Sequence, residues 1–300
     1  MNKTILISII FIISCSEESR LDPYIIVLGT TQDGGAPQAG CNKNCCINRW
    51  ASAKKEFFVT SLGIVDPNSK EAWMIDATPD FPHQLKKLSD ENKVKGIFIT
   101  HAHIGHYSGL MYLGRETMGY KNMPLFVGAR MANFIKKNAP WSQLVDLNNV
   151  SINKIKKDKE VKLNSRLTIK PFVVPHRDEF SETHGFQIEG PDKSLIFIPD
   201  IDKWEKWDVD VLKKIKENDY ALLDGTFFNE KELPGRDMAE IPHPFIIEST
   251  EFFKNIKSDV EINFIHFNHT NPLLNEESDF RNQLIKNGYG SASLFQKFDL

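Results

Sequence analysis

Six apolar segments of this chain each run into a residue that can bind a metal or move a proton. "EAWMI" ends at Asp76, "VKGIFIT" at His101, "KPFVVP" at His176, "SLIFIP" at Asp200, "YALL" at Asp224 and "EINFI" at His266. Apolar runs this short read as buried strands. A single acid or histidine at a strand end is usually a cap or a satisfied core group. Six in succession call for a fold that gathers strand ends on one rim, where a rigid scaffold can assemble a site.

The segments between them read as helices. "PDFPHQLKKLSDEN" has Phe81, Leu85 and Leu88 at helical spacing with Asp80 as its cap, and "GHYSGLMYLGRETMG" reads as a helix closed by Gly119. Antiparallel strands come early and α/β units later, which predicts two packed sheets with helices outside. The segment 139–149, "APWSQLVDLNN", reads as a loop whose position relative to the rim is not readable.

The densest part of the pattern is "ITHAHIGHYSGL", residues 99 to 110. His101 and His103 are two apart, and in an extended loop that spacing aims both imidazoles at one point. His176 adds a third nitrogen and Asp200 can bridge to a second ion, which His106 and His266 would complete. Imidazole plus carboxylate suits zinc, iron or manganese.

A second cluster, "CNKNCC", holds Cys41, Cys45 and Cys46. Three thiols cannot all pair as disulfides, and adjacent cysteines bridge each other only with strain. A structural zinc explains three clustered thiolates better, given a fourth ligand. One disulfide plus a free thiol is the alternative.

The N-terminus, "MNKTILISIIFIISCSEES", is a short apolar run after one lysine. It is too short to span a bilayer and has the pattern of a secretory signal. Its "IISC" resembles the lipobox of bacterial lipoproteins, which implies a signal peptide over 1–14, lipid attachment at Cys15, a polar tether over 15–22 and a folded domain over 23–300. The expected location is outside the cytoplasm, at the cell surface or in the periplasm, with no membrane contact beyond the lipid. The net charge of -3 gives no basic face for nucleic acid. The basic stretch "NKIKKDKEVKLNSRLTIK" is interrupted by acids and reads as a solvated hairpin.

With these residues in view, "THAHIGH" resembles the HxHxDH motif of the metallo-β-lactamase superfamily. His176, Asp200 and His266 fall in the order that family uses. "VLGTTQDGGAPQAGC", "PHRDEFSETHGFQIEG", "IPDIDKW", "LLDGTFF" and "HFNHTNP" resemble segments of its pyrroloquinoline-quinone synthesis protein B branch. The resemblance implies an α/β, four-layer αββα sandwich with one or two metal ions at the rim, and mostly hydrolytic chemistry. It also implies a structural zinc in the cysteine-rich loop, with His269 as the fourth ligand. His243, before a helix in "EIPHPFI", resembles a proton-donating position of related phosphodiesterases. Asp33, Asp76 and Asp224 are candidates to orient ligand histidines through hydrogen bonds. His184 could face the site or hold its strand, and His83 reads as structural.

Gly105 departs from the motif, which has Asp there. With no carboxylate at 105, the second position keeps only His106, Asp200 and His266, which predicts weak binding of a second ion. It also keeps a non-catalytic metal-binding lipoprotein in play as a reading. The synthesis-protein branch implies an iron-dependent oxygenase, whereas intact His101 and His103 point toward hydrolysis of a small-molecule ester, phosphodiester or similar bond.

Overall fold

The computed structural model describes residues 21–52 and 57–300. The expected signal peptide over 1–14 and the lipid site Cys15 lie outside them. Among the described residues, no helix is long and apolar enough to cross a membrane.

Two seven-stranded sheets face each other. The first contains β1 (Tyr24–Gly29), β2 (Ser61–Asp66), β3 (Glu71–Ile75), β4 (Lys93–Phe98), β5 (Met123–Val127) and β6 (Val150–Lys154) in that spatial order. The second contains β7 (Val161–Lys162), β8 (Thr168–Val174), β9 (Thr183–Glu189), β10 (Ser194–Ile198), β11 (Tyr220–Asp224), β12 (Glu261–Ile265) and the short β13 (Gly290–Ser291). The C-terminal β14 (Lys297–Asp299) returns to pair with β1. Both sheets start antiparallel and finish parallel: β1 to β3 and then β3 to β6 in one, β7 to β10 and then β10 to β13 in the other.

The alternation of side chains along each strand builds three apolar layers. On β1, Ile25 and Val27 face the opposite sheet, while Ile26 and Leu28 face the helices outside. On β10, Leu195 and Phe197 point inward, while Ile196 and Ile198 point outward. Between the sheets, Phe98 stacks on Phe126 at 4.4 Å and meets Phe186 edge-on at 5.7 Å. Helices α1 (Asn44–Trp50), α2 (Phe81–Ser89), α3 (Ile104–Tyr107), α4 (Ala129–Lys137), α5 (Trp141–Asp146), α6 (Val211–Lys216), α7 (Ile246–Phe252) and α8 (Asp279–Lys286) connect the strands. On α4, Met131, Ala132 and Ile135 are buried and form one apolar stripe. The result is the αββα sandwich that the pattern predicts.

Three local expectations need correction. Asp80 does not cap α2; its carboxylate instead accepts from Val59 N at 2.8 Å, tying the helix start to the neighbouring loop. The predicted helix from 105 to 119 is the one-turn α3 followed by a 3-10 turn over Ser108–Leu113. Glycines at 109 and 114 weaken a longer helix there, and Gly109 packs against the Ala77–Thr78 backbone. The segment 139–149, read as a loop, contains α5. The basic stretch forms the β7–β8 hairpin as expected.

Candidate metal centre

Strand order explains why the acids and histidines meet. β3, β4, β8, β10, β11 and β12 all end on one rim, so Asp76, His101, His176, Asp200, Asp224 and His266 are delivered to one place. Asp76 and His266 have φ of 66° and 69°. Left-handed backbone at non-glycine residues costs about 1–3 kcal/mol and is concentrated at functional sites. Here it turns each side chain off its strand and into the site.

Four side chains converge in a first set. His101 Nε2 lies 2.8 Å from His103 Nδ1, and His176 Nε2 lies 3.3 Å from the same atom. Asp200 closes the set at 3.4 Å from His101 Nε2 and 3.2 Å from His176 Nε2. A second set adjoins it. His106 Nε2 and His266 Nε2 lie 3.8 and 4.0 Å from Asp200 Oδ2. Asp33 Oδ1 lies 3.1 Å from His106 Nε2 and 3.6 Å from His266 Nε2. Asp200 is therefore shared by both sets.

Hydrogen bonds behind the rings fix which nitrogen faces inward. His101 Nδ1 lies 3.0 Å from Thr100 Oγ1, which donates to Asp76. His106 Nδ1 donates to Asp76 Oδ2 at 2.7 Å. His103 Nε2 donates to Glu179 at 2.9 Å. His266 Nδ1 donates to Thr226 Oγ1 at 2.9 Å, and the Thr226 hydroxyl donates to Asp224 Oδ1 at 2.7 Å. In those tautomers the opposite nitrogens would present lone pairs to shared points. Asp33 Oδ1, Asp200 Oδ1, His106 Nε2 and His266 Nε2 are buried and make no hydrogen bond. A buried polar atom left unsatisfied costs about 1–3 kcal/mol. A divalent cation would satisfy Asp33 Oδ1, His106 Nε2 and His266 Nε2 at once, and one in the first set would satisfy Asp200, so the donor sets fit a metal centre.

The electrostatics describe the rim without an ion: burial lowers His106, but Asp76 and Asp33 outweigh it and raise it well above the usual imidazole value, a proton that an ion at Nε2 would displace. Burial pushes the Asp200 carboxyl up, but His176, His243, His101 and His266 outweigh it and hold it well below the usual carboxylate range. Burial likewise raises Asp33, and His106 and His266 hold it well below that range. Burial and the adjacent His106 keep His101 neutral, as a ligand must be. Burial lowers His243, but Asp224 and Asp200 raise it to about 9. Its Nδ1 donates to Asp224 Oδ2 at 2.9 Å and lies 3.2 Å from Asp200 Oδ1.

The cysteine cluster is a separate centre. Cys41 Sγ lies 3.8 Å from Cys45 Sγ, and Cys45 Sγ lies 3.9 Å from Cys46 Sγ. No disulfide is formed among them, and the separations match the edge of a zinc–thiolate tetrahedron, about 3.8 Å for Zn–S bonds of about 2.3 Å. His269 joins the three thiols as the fourth donor. Its Nδ1 is 3.1 Å from Asn268 Oδ1, which leaves Nε2 for the thiol side. Burial and the neighbouring thiols push Cys45 up to about 11, a destabilised thiolate that a cation would relieve.

The chain matches the β-lactamase superfamily domain over residues 73–267. It belongs to that superfamily. Within the superfamily it is similar to the coenzyme PQQ synthesis protein B of Methylobacterium sp. (strain 4-46), at 23% identity covering 89% of this chain and 96% of the relative. The Rhizobium meliloti (strain 1021) protein of the same name is 24% identical, covering 84% and 90%. Among solved structures, Zn(2+)-bound PqqB from Methylobacterium extorquens superposes with a TM-score of 0.77 at 21% identity, covering 92% of this chain and all of that one. A diphosphatase from the PhnP family superposes with a TM-score of 0.67 at 19% identity, covering 93% and 98%. The β-lactamase superfamily fold and the resemblance to protein B are as the sequence motifs imply.

Several residues fall differently from the sequence reading. Asp33 was expected to orient a histidine through a hydrogen bond, yet its carboxylate lies inside the second set. The second set is thus not limited to His106, Asp200 and His266. His184 takes no part: its backbone N donates to Thr100 O at 3.0 Å and its ring stacks near Phe186, so it holds its strand. His83 stacks on Phe58 away from the site. Thr100, Thr226 and Glu179 were not singled out. Only Thr226 left a local signal, since "DGT" allows the Asx turn in which Thr226 N donates to Asp224 Oδ1.

Proposed function

We propose that the chain is a metal-dependent hydrolase that cleaves a phosphodiester or similarly activated ester of a small molecule. What carries this reading is Asp200, placed between two convergent donor sets and 3.2 Å from His243 Nδ1. His101, His103, His176 and Asp200 would hold one ion, and His106, His266 and Asp200 the other. Zinc fits these donors, with iron or manganese as the rival occupants. When bound, such a pair supplies Lewis acidity to a substrate oxygen and an activated water.

The remaining steps belong to the chain. Asp76 and Thr100 hold His101 and His106 in their metal-binding tautomers, and the Asp224–Thr226 pair does the same for His266. Asp224 also anchors His243 through Nδ1, so the ring's other nitrogen can give a proton to the leaving group. Arg177, 3.3 Å from His103 Nδ1, supplies a cation at the mouth of the site that suits an anionic substrate. The likeness to a diphosphatase supports placing phosphoryl compounds first in a substrate screen.

The test is His243→Gln on a phosphodiester pair that differs only in leaving group. A poor leaving group needs the proton, so turnover falls about 10²-fold with an alkoxide and hardly changes with a nitrophenolate. Metal content stays at the wild-type value. Loss of an ion in this variant would make His243 a ligand instead. A rim centre loaded with iron, and oxygen uptake without hydrolysis, would overturn the hydrolase reading.

A further inference from the structure

Gly105 stands where the superfamily motif has a carboxylate, and the structure fills that space from elsewhere. A Cβ built on Gly105 would lie 2.4 Å from Asp33 Oδ1 and 2.6 Å from Asp33 Cα and Cγ. A side chain at 105 therefore cannot coexist with Asp33 in its present place. The loop that carries Asp33 is pinned to the strand bearing His266: Thr31 bridges to Phe267, and Gln32 N donates to Phe267 O at 2.9 Å. Gly35, at φ of 67°, turns the loop back once it has crossed the rim. Asp33 Oδ1 is buried, makes no hydrogen bond, and lies within 3.6 Å of both second-set histidine nitrogens.

We propose that Asp33 is the carboxylate ligand of the second ion, and that Gly105 is glycine because Asp33 occupies its side-chain volume. The carboxylate has moved from the histidine motif to the loop after β1. The second position then has Asp33, His106, His266 and Asp200, and is as complete as one built on the usual motif. This rests on the two-ion reading above.

The experiment measures zinc per chain and zinc affinity by competition, on the full chain, for four forms: wild type, Asp33→Ala, Gly105→Asp, and the double exchange Asp33→Gly with Gly105→Asp. Wild type should hold two rim ions besides the cysteine-site zinc. Asp33→Ala should weaken one rim ion by about 10²-fold, at or above the upper end of losses seen for ligand-supporting residues. Gly105→Asp alone should also lose that ion, because its new side chain collides with Asp33. The double exchange should recover it to within about tenfold, a rescue that a merely structural role for Asp33 would not give. Retained cysteine-site zinc and an unchanged circular dichroism spectrum separate ion loss from misfolding, and Asp33→Asn provides a nearly isosteric second variant. Two rim ions that persist with unchanged affinity in both Asp33→Ala and Asp33→Asn would overturn the assignment and leave the two-ion reading standing. A wild type with a single rim ion, lost in His103→Ala, would overturn both.

Discussion

Asp200→Asn is expected to lower turnover by at least about 10³-fold, the upper range for removal of one preorganised charge at a reacting centre. The effect should be large because this carboxylate serves three purposes. It closes the first donor set at 3.2–3.4 Å from His101 and His176, faces the second set, and lies beside His243. An amide keeps the volume but brings no charge, and it turns N–H donors toward histidine lone pairs. Elemental analysis should show both rim ions reduced while the cysteine-site zinc stays. If both rim ions remained at full occupancy, Asp200 would not bridge, and the site would hold two independent centres.

Cys46→Ser should release one equivalent of zinc and lower the melting temperature by roughly 10 °C. Cys46 is fully buried, and its Sγ accepts from Gln38 N at 3.4 Å, so the cluster ties α1 to the loop preceding it. A site saturated about 1,000-fold over its Kd contributes about 4 kcal/mol, and a chain somewhat smaller than this shifts by about 2–4 °C per kcal/mol. Scanning calorimetry on the variant, with its rim metal content confirmed unchanged, should show this fall. A melting temperature within 2 °C of wild type with full zinc content would rule out the cysteine cluster as a structural metal site.

The strand-end residues were legible because the signal is local and periodic. An apolar run of four to seven residues marks the strand, and the polar residue that ends it marks the rim. The layers follow from the same alternation, as Ile25 and Val27 against Ile26 and Leu28 illustrate. His269 was reached only through the family resemblance, and the structure brings it beside the three thiols. Asp33 was not. It sits in a glycine-rich loop with no period, and whether that loop crosses the rim depends on the Thr31–Phe267 bridge, a contact between distant parts of the chain. Asp80 misled for a related reason. A residue well placed to cap its own helix was claimed instead by the backbone of another loop.

The close approach of Gly105 and Asp33 also has an evolutionary consequence. Two positions that compete for one volume cannot drift independently: a carboxylate gained at one is a steric fault until the other shrinks. Across superfamily members with this rim, the acid should occupy one position or the other, with a small residue opposite. The path between the two arrangements runs through a chain with neither acid, which has a depleted second site, rather than through a chain with both. The two layouts should therefore mark separate lineages, and position 33 would sort this group of proteins better than the histidine motif does.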